Sequence, residues 1–339
     1  MNFTPRTTFV AAASGATVFL ALAAACGTRT DLGIDELVPG ADVPGGDAAP
    51  GTDAPVSLDA TTDATADGDA RLDAPTDVVI RDSLVPFDAP TDRIIDRSDC
   101  PDAASTLVYV VTTSNELLSF FPPTGAFRRI GILACPNANG ATPFSMAVDR
   151  RGVANVLFSD GRLFRVSTVN AACTATTFQP RQQGFETFGM GFATNEGGPS
   201  ETLFIAADGS NTASGLATID SQLRVNPIGS FVPNIARAEL TGTGDGRLFA
   251  FFANPTDSRT FIAEIEKTTA RVAAQTSLPG VDLGNGWAFA FWGGDFYLFT
   301  APAGSSTITR YRPTDGSLAA VARYPSVIVG AGVSTCAPQ

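Results

Sequence analysis

A five-bladed β-propeller closed by its own C-terminal strand is the all-β fold that this 339-residue sequence predicts, and three observations predict it. Short apolar runs recur in one order at a spacing of about 40 to 50 residues, which suits a propeller blade. The turns between them, SDGR, TDGS and GTGDGR among them, are hairpin signals, and the apolar residues do not recur at helical spacing. The first repeat lacks a strand that the end of the chain supplies. The competing arrangement of such strands is a β-sandwich.

Residues 1–25 read as an export signal. MNFTPRTTF carries one basic side chain, Arg6, and the apolar stretch VAAASGATVFLALAAA stops at Cys26. Its alanines and glycine bury little area, which suits a signal h-region better than a membrane span. Leu22, Ala23, Ala24, Ala25 and Cys26 resemble the lipobox of bacterial lipoproteins, with Ala23 where the commonest form has Leu. The resemblance implies cleavage before Cys26, lipidation of its thiol and a membrane as first partner; the alternative is an ordinary cleaved signal. Gly27 and Thr28 lack the Asp that retains enteric lipoproteins at the inner membrane. The expected location is therefore extracytoplasmic, at the outer membrane of a Gram-negative cell.

Residues 26–105 read as a disordered tether. Asp, Ala, Pro, Thr and Gly dominate, with near repeats such as DAPTD at Asp73–Asp77 and Asp88–Asp92, and too few apolar groups to offset the entropy of ordering. Of the 34 acidic and 22 basic residues, 18 acidic and 5 basic ones lie between Gly27 and Ser105, which, with Arg6 in the signal, leaves 16 of each from Leu107 onward. The acidity of the chain thus belongs to the tether and says nothing about the partners of the domain. Like charges extend such a linker, whose reach is on the order of 50 Å.

With Cys26 lipidated, four cysteines remain, and an even number in an exported chain implies disulfides. Cys100 precedes the domain and Cys336 lies just before its end, while Cys135 and Cys173 occupy matching places in successive repeats. The expected pairs are Cys100 with Cys336 and Cys135 with Cys173. The first would lock the ring where its two ends meet, with an idealised entropic contribution of up to about 5 kcal/mol. Zinc is not expected, because there is no C-x-x-C pair and no histidine.

The domain occupies residues 106–339. Its complete repeats begin FSMAVDRRG at Phe144, FGMGFATNE at Phe188, RAELTGTGDG at Arg237 and WAFAFWGG at Trp287, and each continues through three further runs. The incomplete one begins TLVYVVTT at Thr106, and SVIVGAGVS from Ser326 supplies its first strand. Pairing the two removes an exposed sheet edge. In strand order and turn pattern, Thr106 to the end resembles propellers of the broad NHL, YVTN and PQQ-repeat type, with local echoes in PPTGAF at Pro122–Phe127 and RPTDGSL at Arg312–Leu318. The closing Trp and quinone-contacting residues of PQQ enzymes have no counterpart here, so the resemblance implies no quinone. Lipobox, Asp/Ala/Pro tether and propeller together are similar to uncharacterised lipoproteins of large-genome Gram-negative bacteria such as myxobacteria, which implies a location and a fold but no activity.

The absence of histidine rules out a Ser-His-Asp triad and a histidine-ligated metal, and there is no GxSxG, Walker or GxGxxG motif. The DG pairs at Asp160, Asp208, Asp245 and Asp315 read as hairpin turns rather than calcium loops. Aligned first strands place Ser145, Gly189, Arg237, Ala288 and Val329 in one column and Ala147, Gly191, Glu239, Ala290 and Ala331 in another. Arg237 and Glu239 break columns that are otherwise small or apolar, either as an interior ion pair or as a polar, ligand-binding patch at the axis. The expected function is a non-catalytic binding or interaction scaffold, monomeric, without cofactor or nucleic acid, whose loop face engages an envelope protein or a small ligand. Two alternatives stand beside it: a propeller hydrolase or lyase with its active site at the channel mouth, and a structural part of an envelope assembly.

Overall fold

The computed structural model describes residues 100, 107–136, 138–195, 198–208 and 215–339. The signal, Cys26 and the tether lie outside them. Twenty strands form five four-stranded antiparallel sheets. Blade 1 runs β20 (Ile328–Val333), β1 (Val108–Thr112), β2 (Glu116–Phe121), β3 (Ala126–Ile132) from inside outward. Blade 2 is β4 (Pro143–Val148), β5 (Val153–Phe158), β6 (Leu163–Ser167), β7 (Cys173–Ala175), and blade 3 is β8 (Phe188–Thr194), β9 (Glu201–Ala207), β10 (Leu216–Ile219), β11 (Val225–Gly229). Blade 4 is β12 (Ala238–Gly242), β13 (Leu248–Ala253), β14 (Thr260–Ile265), β15 (Val272–Ser277), and blade 5 is β16 (Trp287–Trp292), β17 (Asp295–Thr300), β18 (Ser306–Arg312), β19 (Ser317–Tyr324). The protein is a five-bladed β-propeller, and β20 closes it by pairing with β1 from Val108↔Val333 to Thr112↔Ile328.

Burial follows strand order. Second strands are sandwiched between neighbouring blades and largely apolar on both faces; β17, DFYLFT, is buried throughout. Outermost strands meet water and carry the features that discourage edge pairing: Arg128 and Arg129 on β3, Pro227 in β11, Arg323 on β19, and a length of three residues for β7. Turns are fixed locally. Asp160, Asp220, Asp257 and Asp315 each accept the backbone N–H two residues on, at 2.9–3.2 Å. In the DG turns, Gly161, Gly246 and Gly316 supply the positive φ (81°, 91° and 69°) that hairpins need.

Between each pair of blades lies an apolar core. Blades 4 and 5 join through Phe249, Phe251, Phe289 and Phe296, and blades 5 and 1 through Phe120, Tyr297 and Phe299. Each such ring removed from water contributes about 2–3 kcal/mol. At the axis the inner strands pack backbone to backbone: a Cβ on Gly189 would stand 2.0 Å from the carbonyl oxygen of Ala238, and one on Gly242 2.1 Å from that of Phe192. Further along, the space between Gly191, Gly242 and Gly332 does not admit a water molecule.

Two disulfides fasten the ring. Cys100 bonds Cys336 with their Cα atoms 5.5 Å apart, and Cys135 bonds Cys173 at 4.9 Å, joining blades 1 and 2. The tail after β20 lies across the ends of the inner strands. Gly293 N–H donates to the Pro338 carbonyl at 2.8 Å, and the Thr335 hydroxyl donates to Glu201 Oε2 at 2.9 Å. No helix among the described residues is long and apolar enough to cross a membrane.

Candidate binding cleft

Arg237 and Glu239 do not share a strand. β12 begins at Ala238, so Arg237 precedes it, exposed, with its guanidinium over the Trp287 ring (4.6 Å from the centroid) and near Phe144 (5.7 Å). Glu239 is 6% exposed and its Oε2 accepts the Ser145 hydroxyl at 2.7 Å. Burial pushes its carboxyl well above the usual range, against the opposing pull of Ser145, Arg237 and the Met190 N–H. Glu239 is therefore level with Ser145 and Gly189, a place that the first-strand columns gave to Arg237; the register of blade 4 is displaced by two residues. The two side chains form no ion pair. Beyond them, where Gly191, Gly242 and Gly332 meet, no water-sized space remains between the inner strands.

The ring opens elsewhere. The second strand of each blade places one side chain toward the next blade at the same height, set by its inner-strand partner: Tyr109 opposite Gly332, Asn155 opposite Ala147, Phe204 opposite Gly191, Phe249 opposite Thr241 and Tyr297 opposite Ala290. Four are aromatic and fill their interfaces. The fifth is Asn155. At its interface, Phe178, Phe185, Phe188 and Met190 fill one half of the space between blades 2 and 3. The other half is a cleft of about 690 Å³, within the range of small-ligand pockets.

Asn155 is 7% exposed, borders the cleft, and its side-chain amide has no hydrogen-bond partner among the described residues. The residue is buried but its amide atoms reach the cleft, so they are available to bond a ligand there. Arg165 on β6 is its cross-strand partner, on the same face, exposed and without an ion-pair partner among the described residues. Phe192, Leu203 and Leu223 form an apolar wall opposite, and Thr202, Thr218, Ser200 and Ser221 add hydroxyls.

The acids of the cleft are engaged. Asp149 Oδ1 accepts the N–H groups of Arg151 and Val153 at 3.0 and 2.8 Å. Asp220 accepts those of Gln222 and Arg224, and its other oxygen takes Arg224 Nε at 2.9 Å. Glu201 Oε1 accepts the Arg150 N–H at 2.7 Å, and its Oε2 takes Thr335. Burial raises the Glu201 carboxyl to about 7, the bonds from Arg150 and Thr335 pull it down, and the charge of Asp149 adds to the rise. Arg150 is itself buried, with Nη2 3.3 Å from Cys100 Sγ. Among the described residues no three Cys, Asp or Glu side chains gather as a metal site.

Sequence reasoning selected the residues at the axis and passed over Asn155. The signal was present in the second strands, where YVV, NVL, FIA, FAF and YLF align with asparagine as the one non-aromatic first letter.

No protein-family model matches the chain, and no curated protein matches it. Among solved structures it is similar to a chain of the nidogen/laminin complex at 10% identity and a TM-score of 0.46, covering 68% of this chain and 98% of that one. It is also similar to the Dos1 propeller (14% identity, TM-score 0.35, 60% of this chain and 52% of that one). A protein of unknown function from Bacteroides thetaiotaomicron VPI-5482 gives 10% identity and a TM-score of 0.35, over 57% of this chain and 53% of that one. The chain spans about half the length of the latter two.

Proposed function

We propose that this protein is a non-catalytic binding protein, exported, held to the outer membrane through lipid on Cys26, and loaded with a small polar ligand between blades 2 and 3. The observation that carries the binding reading is Asn155: a buried residue whose amide reaches the cleft, at the one interface where an aromatic ring is missing and a cleft takes its place. Glu201 supports catalysis less well than binding, because both of its oxygens already accept bonds from the protein. The lipobox resemblance and the charge of the tether support export and anchorage, and the strand order of the ring supports a rigid scaffold.

Binding is tested by screening polar fragments against the full chain with ligand-observed NMR, alongside Asn155→Phe, which fills the cleft. Fragments that bind the wild type and are lost in the variant bear the reading out; hits that are indifferent to the substitution sink it. Anchorage is tested separately with Cys26→Ala, which is expected to release the protein from membranes or leave it uncleaved. Wild-type protein recovered soluble and without acyl groups contradicts that part alone.

A further inference from the structure

We infer that the ligand of the blade 2–3 cleft carries a carboxylate, held by Arg165 and Asn155 together. The inference rests on the binding reading above and names the chemistry of its ligand.

Every acidic side chain on the cleft already has protein partners: Asp149 Oδ1 accepts the Arg151 and Val153 N–H groups and its Oδ2 lies 3.4 Å from Arg151 Nη2, Asp220 is held by its own turn, and Glu201 accepts from Arg150 and Thr335. The cleft therefore has no acid without protein partners to offer a cationic ligand. What it does have is a guanidinium, with five N–H donors in a planar fork, and an amide with two more donors and one acceptor. Cross-strand neighbours on one face stand about 5 Å apart at Cβ, so the two groups converge on one small region. A fork of donors beside an amide matches a planar carboxylate bidentately, with the amide left to bond one oxygen or the adjoining polar group.

Charge favours an anion. Arg150, Arg151 and Arg165 face Asp149 and Asp220, with Glu201 as a third acid that burial holds toward neutrality. Arg151 lies 3.4 Å from Asp149, and the buried head of Arg150 is turned toward Cys100. Arg224 is paired with Asp220, and Arg165 is the cation on the cleft without an ion-pair partner among the described residues, so it is the one positioned to take a carboxylate. The apolar wall of Phe192, Leu203 and Leu223 accommodates the carbon skeleton.

Two sources of such a group, an acidic sugar and an acidic peptide side chain, are separated by two isosteric probe pairs: glucuronate with glucuronamide, and acetyl-Glu-amide with acetyl-Gln-amide. Binding to the full chain is measured by titration calorimetry at pH 6, for wild type, Arg165→Gln and Asn155→Phe, with thermal unfolding confirming that each variant is folded. The expected result is that at least one acid binds, its amide binds far more weakly, Arg165→Gln weakens the acid by roughly 10- to 100-fold, and Asn155→Phe abolishes it. Which pair responds identifies the source. An amide that binds as well as its acid, both being lost in Asn155→Phe, overturns the carboxylate assignment and leaves the cleft standing. Acid binding untouched by either substitution overturns it as well, as does a wild type that binds none of the four probes; the fragment screen then judges the cleft independently.

Discussion

The interface between blades 4 and 5 and the one between blades 2 and 3 are built from the same strands in the same register, and they end differently. In the first, Phe249 projects from β13 onto Phe296, 4.9 Å between centroids, and Arg247 covers its outer face at 4.8 Å. In the second, Asn155 projects from β5 to the same height and the space in front of it is open. The side chain at that height is one difference between the sealed seam and the cleft. In both, an apolar core holds the two sheets together.

The comparison presupposes a closed ring, and opening the ring has the largest expected effect. Deleting the chain from Ser326 removes β20, exposes β1 as an edge and discards Cys336, so the protein is expected to aggregate rather than unfold cooperatively. A truncated chain that melts at the wild-type temperature contradicts closure by β20.

Next in size is Phe249→Asn, which copies blade 2 into blade 4. Phe249 is 1% exposed; losing the ring and burying an amide is expected to cost about 3–5 kcal/mol in denaturant unfolding. A cost below 1 kcal/mol would show that this seam tolerates a cleft as readily as the other.

A third effect belongs to the cleft side and comes from Glu201. Its carboxyl is raised in the folded protein to about 7 from 4.5, so the folded state binds the proton more tightly than the unfolded one. The associated stability is fully present below about 4.5 and is lost as pH rises toward about 7, up to about 3 kcal/mol in all. Glu239, pushed upward in the same sense, adds to the slope. Glu201→Gln is expected to flatten the change across that window, as read by melting temperature against pH, and an unaltered slope places its origin in other groups.

The smallest effect is the inverse exchange, Asn155→Phe. Restoring the aromatic column fills the cleft and removes an unpartnered amide, so stability is expected to hold or to rise by about 1 kcal/mol. A marked loss of stability would mean that the cleft is too narrow for a ring and that the column is not equivalent between blades.

The blades were legible because hairpin turns and apolar runs are local: each DG turn needs its glycine, and each sandwiched strand must be largely apolar on both faces. Closure by Ile328–Val333 was legible from the strand missing before Val108. The site was less so. First strands press backbone against backbone, so Gly, Ala and Ser alternate there with little information, and Arg237 stood out in an alignment displaced by two residues from the true level of Glu239. The second strands carry large side chains whose identity decides whether an interface fills, and the replacement of an aromatic ring by Asn155 was written there. What no alignment of strands could supply was the Glu201–Thr335 bond, which joins residues 134 positions apart through the tail.

The glycines at the centre have a consequence for how such a ring can diversify. Where the inner strands press together at Gly189 and Gly242, a ligand site cannot arise by decorating the inner wall, because any side chain added there collides with a neighbouring main chain. The spokes offer another place for recognition. At this height four interfaces are shuttered by an aromatic residue, and the fifth, with Asn155 in its place, holds a chamber. The molecule thus behaves as a wheel with five doors, one of which stands open at Asn155.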